Sequence, residues 1–459
     1  MSLSDEQEYA LELFNEGKNL LITGPGGVGK THLIHTFIEH AEKNKKVVQV
    51  CALTGCASLL LGCNAKTIHS WSGIKMARGE RKQIVENAMR GRKTKSNWKG
   101  VDILIIDEVS MMSKKIFETL AELAQVARHN PSFFGGLQIV FAGDFLQLPP
   151  IGSAKEPDTS AFCFESPMWF DIIPLENHIE LNTMFRQKDP VYIEILSQIR
   201  KGKLSIENTE LLNEHSLRKY DPSEHDGMYL TQLFPIKARV EYINAVMFDK
   251  IETETVKYDI EMKYQCLIYL ESGIEISAKI VAKCDRLSAN ERDYEMNSLL
   301  TNSQCSQELS LKVGALVMCT ANIDLDNGVC NGSQGVIIEF VGSDKLPKVR
   351  FANGHIMTMT RHSWQSSDFP KIAVRQYPLQ LAWALTVHKI QGATLDRAEM
   401  DVGTSVFEYG QTYVAMSRVK SLEGLYLSDF NATKIKANPK VLKFYQKIPQ
   451  IEYVDDEGN

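Results

Sequence analysis

The run LLITGPGGVGKTHLI, Leu20 to Ile34, constrains the fold more than any other stretch of the chain. An apolar, strand-like segment leads into Gly24-Pro25-Gly26-Gly27-Val28-Gly29-Lys30-Thr31, and an amphipathic segment able to start a helix follows. This is G-x-x-x-x-G-K-[ST] in the strand, turn and helix context that gives the pattern its meaning. The glycines let backbone N–H groups converge on phosphate oxygens, and the helix N-terminus adds a favourable partial charge. Lys30 is then expected to reach the β- and γ-phosphates, and the Thr31 hydroxyl to hold magnesium. The segment predicts binding of a nucleoside triphosphate.

Two further strand ends extend the site. VDILIIDEVSMM, Val101 to Met112, reads as a buried strand ending in Asp107-Glu108. An acidic pair there suits magnesium held through Asp107 and an attacking water oriented and deprotonated by Glu108. LQIVFAGD, Leu137 to Asp144, leads into a loop with Gln147, whose amide can contact a γ-phosphate. Three phosphate-facing strand ends in this order describe a RecA-like parallel sheet with its ligand at the strand carboxyl ends. Hydrolysis also needs positive charge on the transferring phosphoryl group. Arg186 and Arg418 are candidates, although an isolated arginine is most often a surface residue.

The 459 residues allow roughly three domains of ordinary size. With 44% hydrophobic and 24% charged residues, a globular protein with full cores is expected. No run of about 18 apolar residues appears, so no membrane span is expected. The N-terminus, MSLSDEQEYALELF, is acidic and amphipathic, unlike a secretory or mitochondrial leader. The 9 cysteines are odd in number and form no C-x-x-C pair, which points to reduced thiols in an intracellular compartment, nucleus and cytoplasm both remaining open. The net charge of −6 makes a nucleic-acid site a local matter. Between Lys75 and Lys99, nine basic residues, Arg92 and Lys93 among them, face only Glu80 and Glu86. Such a run is a solvated face or a phosphate-backbone contact.

Laid end to end, these segments resemble the Pif-one family of superfamily 1B DNA helicases, related to RecD and Dda, from about Leu3 to Asp429. LSDEQ, Leu3 to Gln7, resembles the adenine-reading glutamine motif. GPGGVGKT, ALTGCAS (Ala52 to Ser58), AKTIHSWSGI (Ala65 to Ile74) and IIDEVSMM follow in order. GGLQIVFAGDFLQLPP (Gly135 to Pro150), MFRQ (Met184 to Gln187), LAWALTVHKIQGATLD (Leu381 to Asp396) and GQTYVAMSRV (Gly410 to Val419) complete the set. The chain departs from the family pattern at Leu53, Cys56 and Ile390.

The resemblance implies an α/β protein of two RecA-like parallel-sheet domains with a small basic wedge insertion and an SH3-like β-barrel insertion. The expected division is a first RecA-like domain over 1–183, with the wedge at 72–100. A second would span 184–310 and 378–459, interrupted by the SH3-like insertion at 311–377. It also implies ATP as the nucleotide. Gln7 would read the adenine, Gln391 and Gly392 line the cleft, Gln147 couple phosphate state to DNA, and Arg186 and Arg418 close over the γ-phosphate from the second fold. Thr54, His69, Trp71 and His388 fall at positions that face DNA in relatives, although His69 and Trp71 also read as packed side chains. The expected activity is ATP-driven 5′ to 3′ translocation on single-stranded DNA, with separation of forked duplexes, by a monomer, oligomerisation on DNA remaining open. The alternatives are a DNA-stimulated translocase that unwinds little, an ATP-gated binding module and a phosphotransferase.

Overall fold

The computed structural model describes residues 3–61, 63–75, 77–225, 229–266, 278–302, 306–324, 326–366, 369–387, 390 and 394–449. The chain divides into two compact units, one of residues 1–217 with 402–459 and one of residues 218–401.

The first unit is built on six strands: β1 (Leu20–Thr23), β2 (Val48–Ala52), β3 (Lys66–Thr67), β4 (Ile103–Asp107), β5 (Gln138–Ala142) and β6 (His178–Glu180). They lie in the order β3-β2-β4-β5-β1-β6, and every neighbouring pair is parallel. Strands buried on both faces read as continuous apolar runs, and here the two faces take alternate residues. Leu21, Leu104, Ile106, Ile139 and Phe141 enter one core, while Leu20, Ile22, Ile103, Ile105 and Val140 enter the other.

The second of these cores is closed by α1 (Asp5–Asn15) and α2 (Lys30–Lys43), through Ala10, Phe14, Leu33, Ile34 and Phe37. The chain continues through α3 (Gly55–Leu61) and α4 (Ile68–Ser72). The basic stretch then folds as two helices, α5 (Arg81–Arg90) and α6 (Arg92–Lys99), separated by Gly91. Their apolar residues Ile84, Val85, Ala88 and Trp98 join the first core, alongside Phe117, Leu120 and Leu123 of α7 (Lys114–Arg128). Arg81 pairs with Glu118 and Glu122 of α7 at 2.6 and 3.0 Å, so one of the nine cations fastens the insertion to the body.

A short helix α8 (Trp169–Ile172) and then α9 (Pro190–Arg200) follow. Helix α9 belongs to the first unit, and Arg200 at its end pairs with Asp144 after β5. The helix Gln411–Met416 and the helix Pro439–Tyr445 belong to this unit as well.

In the second unit, β7 (Gln232–Phe234) runs parallel to strands Ala384–Thr386 and Ala398–Val402. The glycine-punctuated stretch that predicts short β-runs forms an antiparallel sheet. Leu316–Cys319 pairs with Leu379–Leu381 on one side and with Gln334–Val341 on the other; Leu346–Phe351 and Ile356–Thr358 extend it. His388, Gln391, Gly392 and the acidic tail 453–459 lie outside the described residues.

Candidate nucleotide site and nucleic-acid surface

The phosphate loop joins β1 to α2, and its glycines stand where a side chain would not fit. Gly24, Gly27 and Gly29 have φ of 134°, 100° and 82°. A methyl group on Gly24 would lie 2.3 Å from the Leu181 carbonyl oxygen, and one on Gly29 would lie 2.6 Å from Gln7 Nε2. Positive φ at non-glycine residues is costly, so this loop is set by sequence. Val28 is buried in the core below the loop, and Thr31 stands exposed in the first turn of α2. The Lys30 ammonium donates to the carbonyls of Gly24 and Pro25 at 2.7 and 2.8 Å. Burial lowers its pKa, opposed by the charges of Asp144, Glu108 and Asp107. Gln7, itself buried, donates to the Val28 carbonyl at 3.2 Å and accepts from the Ser4 amide at 3.1 Å, which fastens α1 to the loop.

Asp107 ends β4 and accepts from the Glu108 amide at 2.8 Å. Burial, then the neighbouring charge of Glu108, pushes its pKa up to about 7. Glu108 takes a left-handed conformation, φ 57° and ψ 41°, which turns the chain sharply after the strand. A non-glycine residue held there is the kind of local strain found at functional sites.

The two arginines reach the loop from separate segments of the first unit. A methyl group at Gly26 would lie 3.3 Å from Arg418 Nη2 and 3.5 Å from Arg186 Nη1. Arg418 is 2% exposed and donates to the Val414 carbonyl and the Ser417 hydroxyl. Burial, then the charge of Arg186, brings its pKa down to about 9. Arg186 donates to the Ser417 carbonyl at 3.2 Å, and its neighbour Gln187 donates to the carbonyls of Ser417 and Val419. The two guanidinium groups are thus held together through the segment 417–419.

Gln147 is buried, and the loop carrying it presses against the helix Gln411–Met416: a methyl group on Gly410 would lie 2.5 Å from the Gln147 carbonyl oxygen. Tyr413 of that helix accepts a hydrogen bond from the Gly26 amide at 2.9 Å. Beside Pro25 and Gly26 opens a cavity of about 500 Å³, walled by Tyr413, Arg200, Met184 and Glu6.

Several of these residues carry no assignment in the sequence reading. Tyr413 and Gln187 lie inside quoted motifs, and Asp144 ends the GD pair before Gln147, so motif membership is the signal for them. Arg200 lies in ILSQIRKGKL, Ile195 to Leu204, which has helical spacing and resembles a family segment after the first arginine, whereas Tyr445 at the end of the helix Pro439–Tyr445 lies in no motif.

The expected DNA-facing residues divide. Arg92 and Lys93 are exposed at the start of α6. Thr54 is half-buried, and its hydroxyl accepts from the Ala57 amide at 3.2 Å, opening α3. His69 is half-buried on α4, and burial lowers its pKa. Trp71 is a core side chain. It is 2% exposed and packs on Trp98 of α6, ring centroids 4.6 Å apart.

With this geometry in view, sequence and structural relatives agree. The family model for PIF1-like helicase matches residues 2–210, and that for the DNA helicase Pif1 2B domain matches residues 295–340. The ATP-dependent DNA helicase Pif1 of Bdellovibrio bacteriovorus is 33% identical, over 97% of this chain and 92% of its own length. The ATP-dependent DNA helicase PIF1 of Danio rerio is 34% identical over 97% of this chain, which spans 64% of that relative's length. The crystal structure of Pif1 helicase from Candida albicans superposes with a TM-score of 0.74 at 30% identity, covering 98% of this chain and all of that one. Bacteroides sp Pif1 in complex with ADP-AlF4 gives 0.73 at 27% identity, covering 97% of each chain. Bacteroides Pif1 bound to ssDNA gives 0.62 at 28% identity, again covering 97% of each chain. Identity of this extent over nearly the whole of the bacterial relative shows that the chain belongs to the PIF1-like helicase family.

Proposed function

We propose that this protein is an ATP-dependent DNA helicase that moves 5′ to 3′ on single-stranded DNA and separates duplexes at forks. The observation that carries the reading is the convergence of Arg186 and Arg418 on Gly26 of the phosphate loop. A binding loop alone needs no arginines; two guanidinium groups beside it supply the charge that phosphoryl transfer requires. The catalytic roles follow: Lys30 on the phosphates, Glu108 on the water, and Gln147 as reporter of the γ-phosphate.

ATP is the proposed nucleotide, with Gln7 at its base and Gln391 and Gly392 at the cleft. Magnesium fits the oxygen donors present, the Thr31 hydroxyl at the start of α2 and the Asp107 carboxylate at the end of β4. Burial and then the charge of Glu108 raise the Asp107 pKa, and a bound cation would favour the ionised carboxylate against both. When bound, the ion supplies charge neutralisation on the phosphates. The residues around it position that charge: Glu108 accepts the water's proton, and the arginines gain a phosphate partner that hydrolysis then removes.

For DNA, the proposed contacts are Thr54, His69 and His388 on the single strand and the basic face of Arg92 and Lys93 near the duplex. The helices α5 and α6 are read as the wedge, and the antiparallel sheet from Leu316 as the SH3-like clamp. The proposed domain division keeps a first RecA-like fold over 1–183 and a second over 184–310 and 378–459. The relatives solved with ssDNA and with ADP-AlF4 support the two ligands proposed. Cys51, Cys163, Cys266, Cys284 and Cys319 are buried thiols, which suits a reducing intracellular compartment. A monomer suffices for this cycle.

The test is strand separation on two partial duplexes, one with a 5′ tail and one with a 3′ tail, with and without ATP and magnesium. Unwinding of the 5′-tailed substrate alone is expected. Unwinding of the 3′-tailed substrate would overturn the polarity, and DNA-stimulated hydrolysis without unwinding would leave a translocase in place of a helicase.

A further inference from the structure

The motifs that carry the family resemblance end near Asp429, yet the helix Pro439–Tyr445 beyond them reaches the base of the nucleotide site. Its last residue, Tyr445, donates to Asp144 Oδ1 at 2.9 Å. Its oxygen accepts from the Thr23 hydroxyl at 2.5 Å and from the Phe145 amide at 3.2 Å. One phenol therefore joins the last residue of β1, directly before the phosphate loop, to the turn after β5.

That turn is what carries Gln147. Asp144 is fully buried; its carboxylate accepts from the Leu146 amide at 3.1 Å, and its carbonyl accepts from the Gln147 amide at 2.9 Å. Arg200 grips the same carboxylate with Nε at 2.9 Å and Nη2 at 3.0 Å, and also reaches Glu180 at the end of β6 at 3.2 Å. The guanidinium lies 5.1 Å from the Tyr445 ring centre. Phe444 seats the helix by stacking on Phe164, ring centroids 4.3 Å apart, and by lying edge-on to Phe145. Every hydrogen-bonding site of the phenol is used, and the ends of β1, β5 and β6 meet in one hydrogen-bonded network.

We propose that Tyr445 and Arg200 are positioning residues of the ATPase: they fix Asp144, and through it the turn that presents Gln147, relative to the phosphate loop. The inference rests on the hydrolytic reading of the site given above. Its consequence is specific, because Lys30 and the Gly26 amide bond other partners, whereas the phenol bonds the carboxylate and the amide of the turn that carries Gln147. Loss of the hydroxyl should therefore slow turnover and leave nucleotide binding intact.

The experiment compares the wild-type chain, Tyr445→Phe, Arg200→Lys and the double variant in single-stranded-DNA-stimulated ATP hydrolysis. The number of nucleotide sites in each preparation is counted with a fluorescent ATP analogue. Phe keeps the ring that packs with Phe444, and Lys keeps the charge. We expect kcat per occupied site to fall about ten-fold in Tyr445→Phe with KM for ATP within about two-fold of wild type. The double variant should fall by less than the product of the two single effects, as for groups acting on one carboxylate. Unchanged kcat per site in Tyr445→Phe overturns the proposal, as does activity lost only in proportion to lost sites, or a rise in KM alone. A wild-type chain that hydrolyses no ATP would refute the hydrolytic reading itself, a separate failure visible in the same experiment.

Discussion

The Gly26 amide donates to the Tyr413 hydroxyl across 2.9 Å, so the phosphate loop is tied to the helix that leads into Arg418. Burial pushes the Tyr413 pKa up to about 12, and the phenol stays neutral at any working pH. The same helix meets the Gln147 loop at Gly410, where φ is 75° and the neighbouring carbonyls leave no room for a side chain. Loop, helix and arginine thus form one mechanical piece. Tyr413→Phe keeps the packing and cuts the tie. Turnover of ATP should fall about ten-fold while ADP affinity, measured by calorimetry, is unchanged or higher. Weaker ADP binding with normal turnover would show that the phenol serves binding and not alignment.

Lys30 and Glu108 should separate binding from chemistry. Lys30→Ala removes the cation that the loop surrounds, and both nucleotide affinity and hydrolysis should be lost. Glu108→Gln keeps the size of a side chain held at φ 57° but removes the base. Hydrolysis should fall by roughly 100-fold or more, the usual worth of a general base, with nucleotide affinity retained. Equilibrium binding beside a phosphate-release assay reads both, and near-normal turnover by either variant would overturn the assignment.

How far the sequence makes this site legible depends on how local each cause is. The glycines of the loop are needed for their own backbone angles, and Asp107 and Glu108 follow one strand, so a window of a dozen residues contains the whole argument. The parallel sheet is readable for the same reason, since each strand is a compact apolar run. Trp71 is different. Its motif places it on α4 but cannot say which way that helix faces, and its packing partner Trp98 lies 27 positions later on an insertion. Arg200 and Tyr445 are less legible still. The Tyr445–Asp144 contact spans 301 positions, and nothing local to Arg200 or Tyr445 points to Asp144 as the partner. What spacing cannot encode is a partner chosen by tertiary folding.

Acid should weaken the first unit through His178. Its Nε2 accepts from the Trp169 indole at 2.9 Å, and its other ring nitrogen bonds the Pro174 carbonyl at 3.0 Å. Burial brings its pKa down to about 4, from an unfolded value near 6.5. A depressed histidine is neutral in the fold but takes a proton on unfolding, so unfolding is favoured as pH falls through about 6.5 and on towards 4. Above about 7 the group contributes no slope. Thermal melts between pH 7.5 and 5 should show this loss, with a shallower slope in His178→Gln, which retains an acceptor and a donor. Parallel slopes in the two proteins would assign the acid sensitivity elsewhere.

The basic insertion should reveal itself through salt rather than through stability. Arg92 and Lys93 are exposed at the start of α6, whereas Trp98 in the same helix is fully buried. Changing the two cations to alanine therefore leaves the core intact, and the melting temperature should stay within about 2 °C of the parent, as for ordinary surface changes. If both meet duplex phosphates, the dependence of log affinity for a forked duplex on log salt becomes shallower by about 0.9 per lost contact, or about 1.8 for the pair. The contrasting variant is Trp98→Ala, which removes the partner of Trp71. It should cost about 3–5 kcal/mol of stability and disturb DNA binding only through the fold. Fluorescence anisotropy of a labelled forked duplex across a salt series decides between them. An unchanged slope in the Arg92 and Lys93 double variant would make the insertion's charge a solvated face and move the phosphate contacts to another surface of the protein.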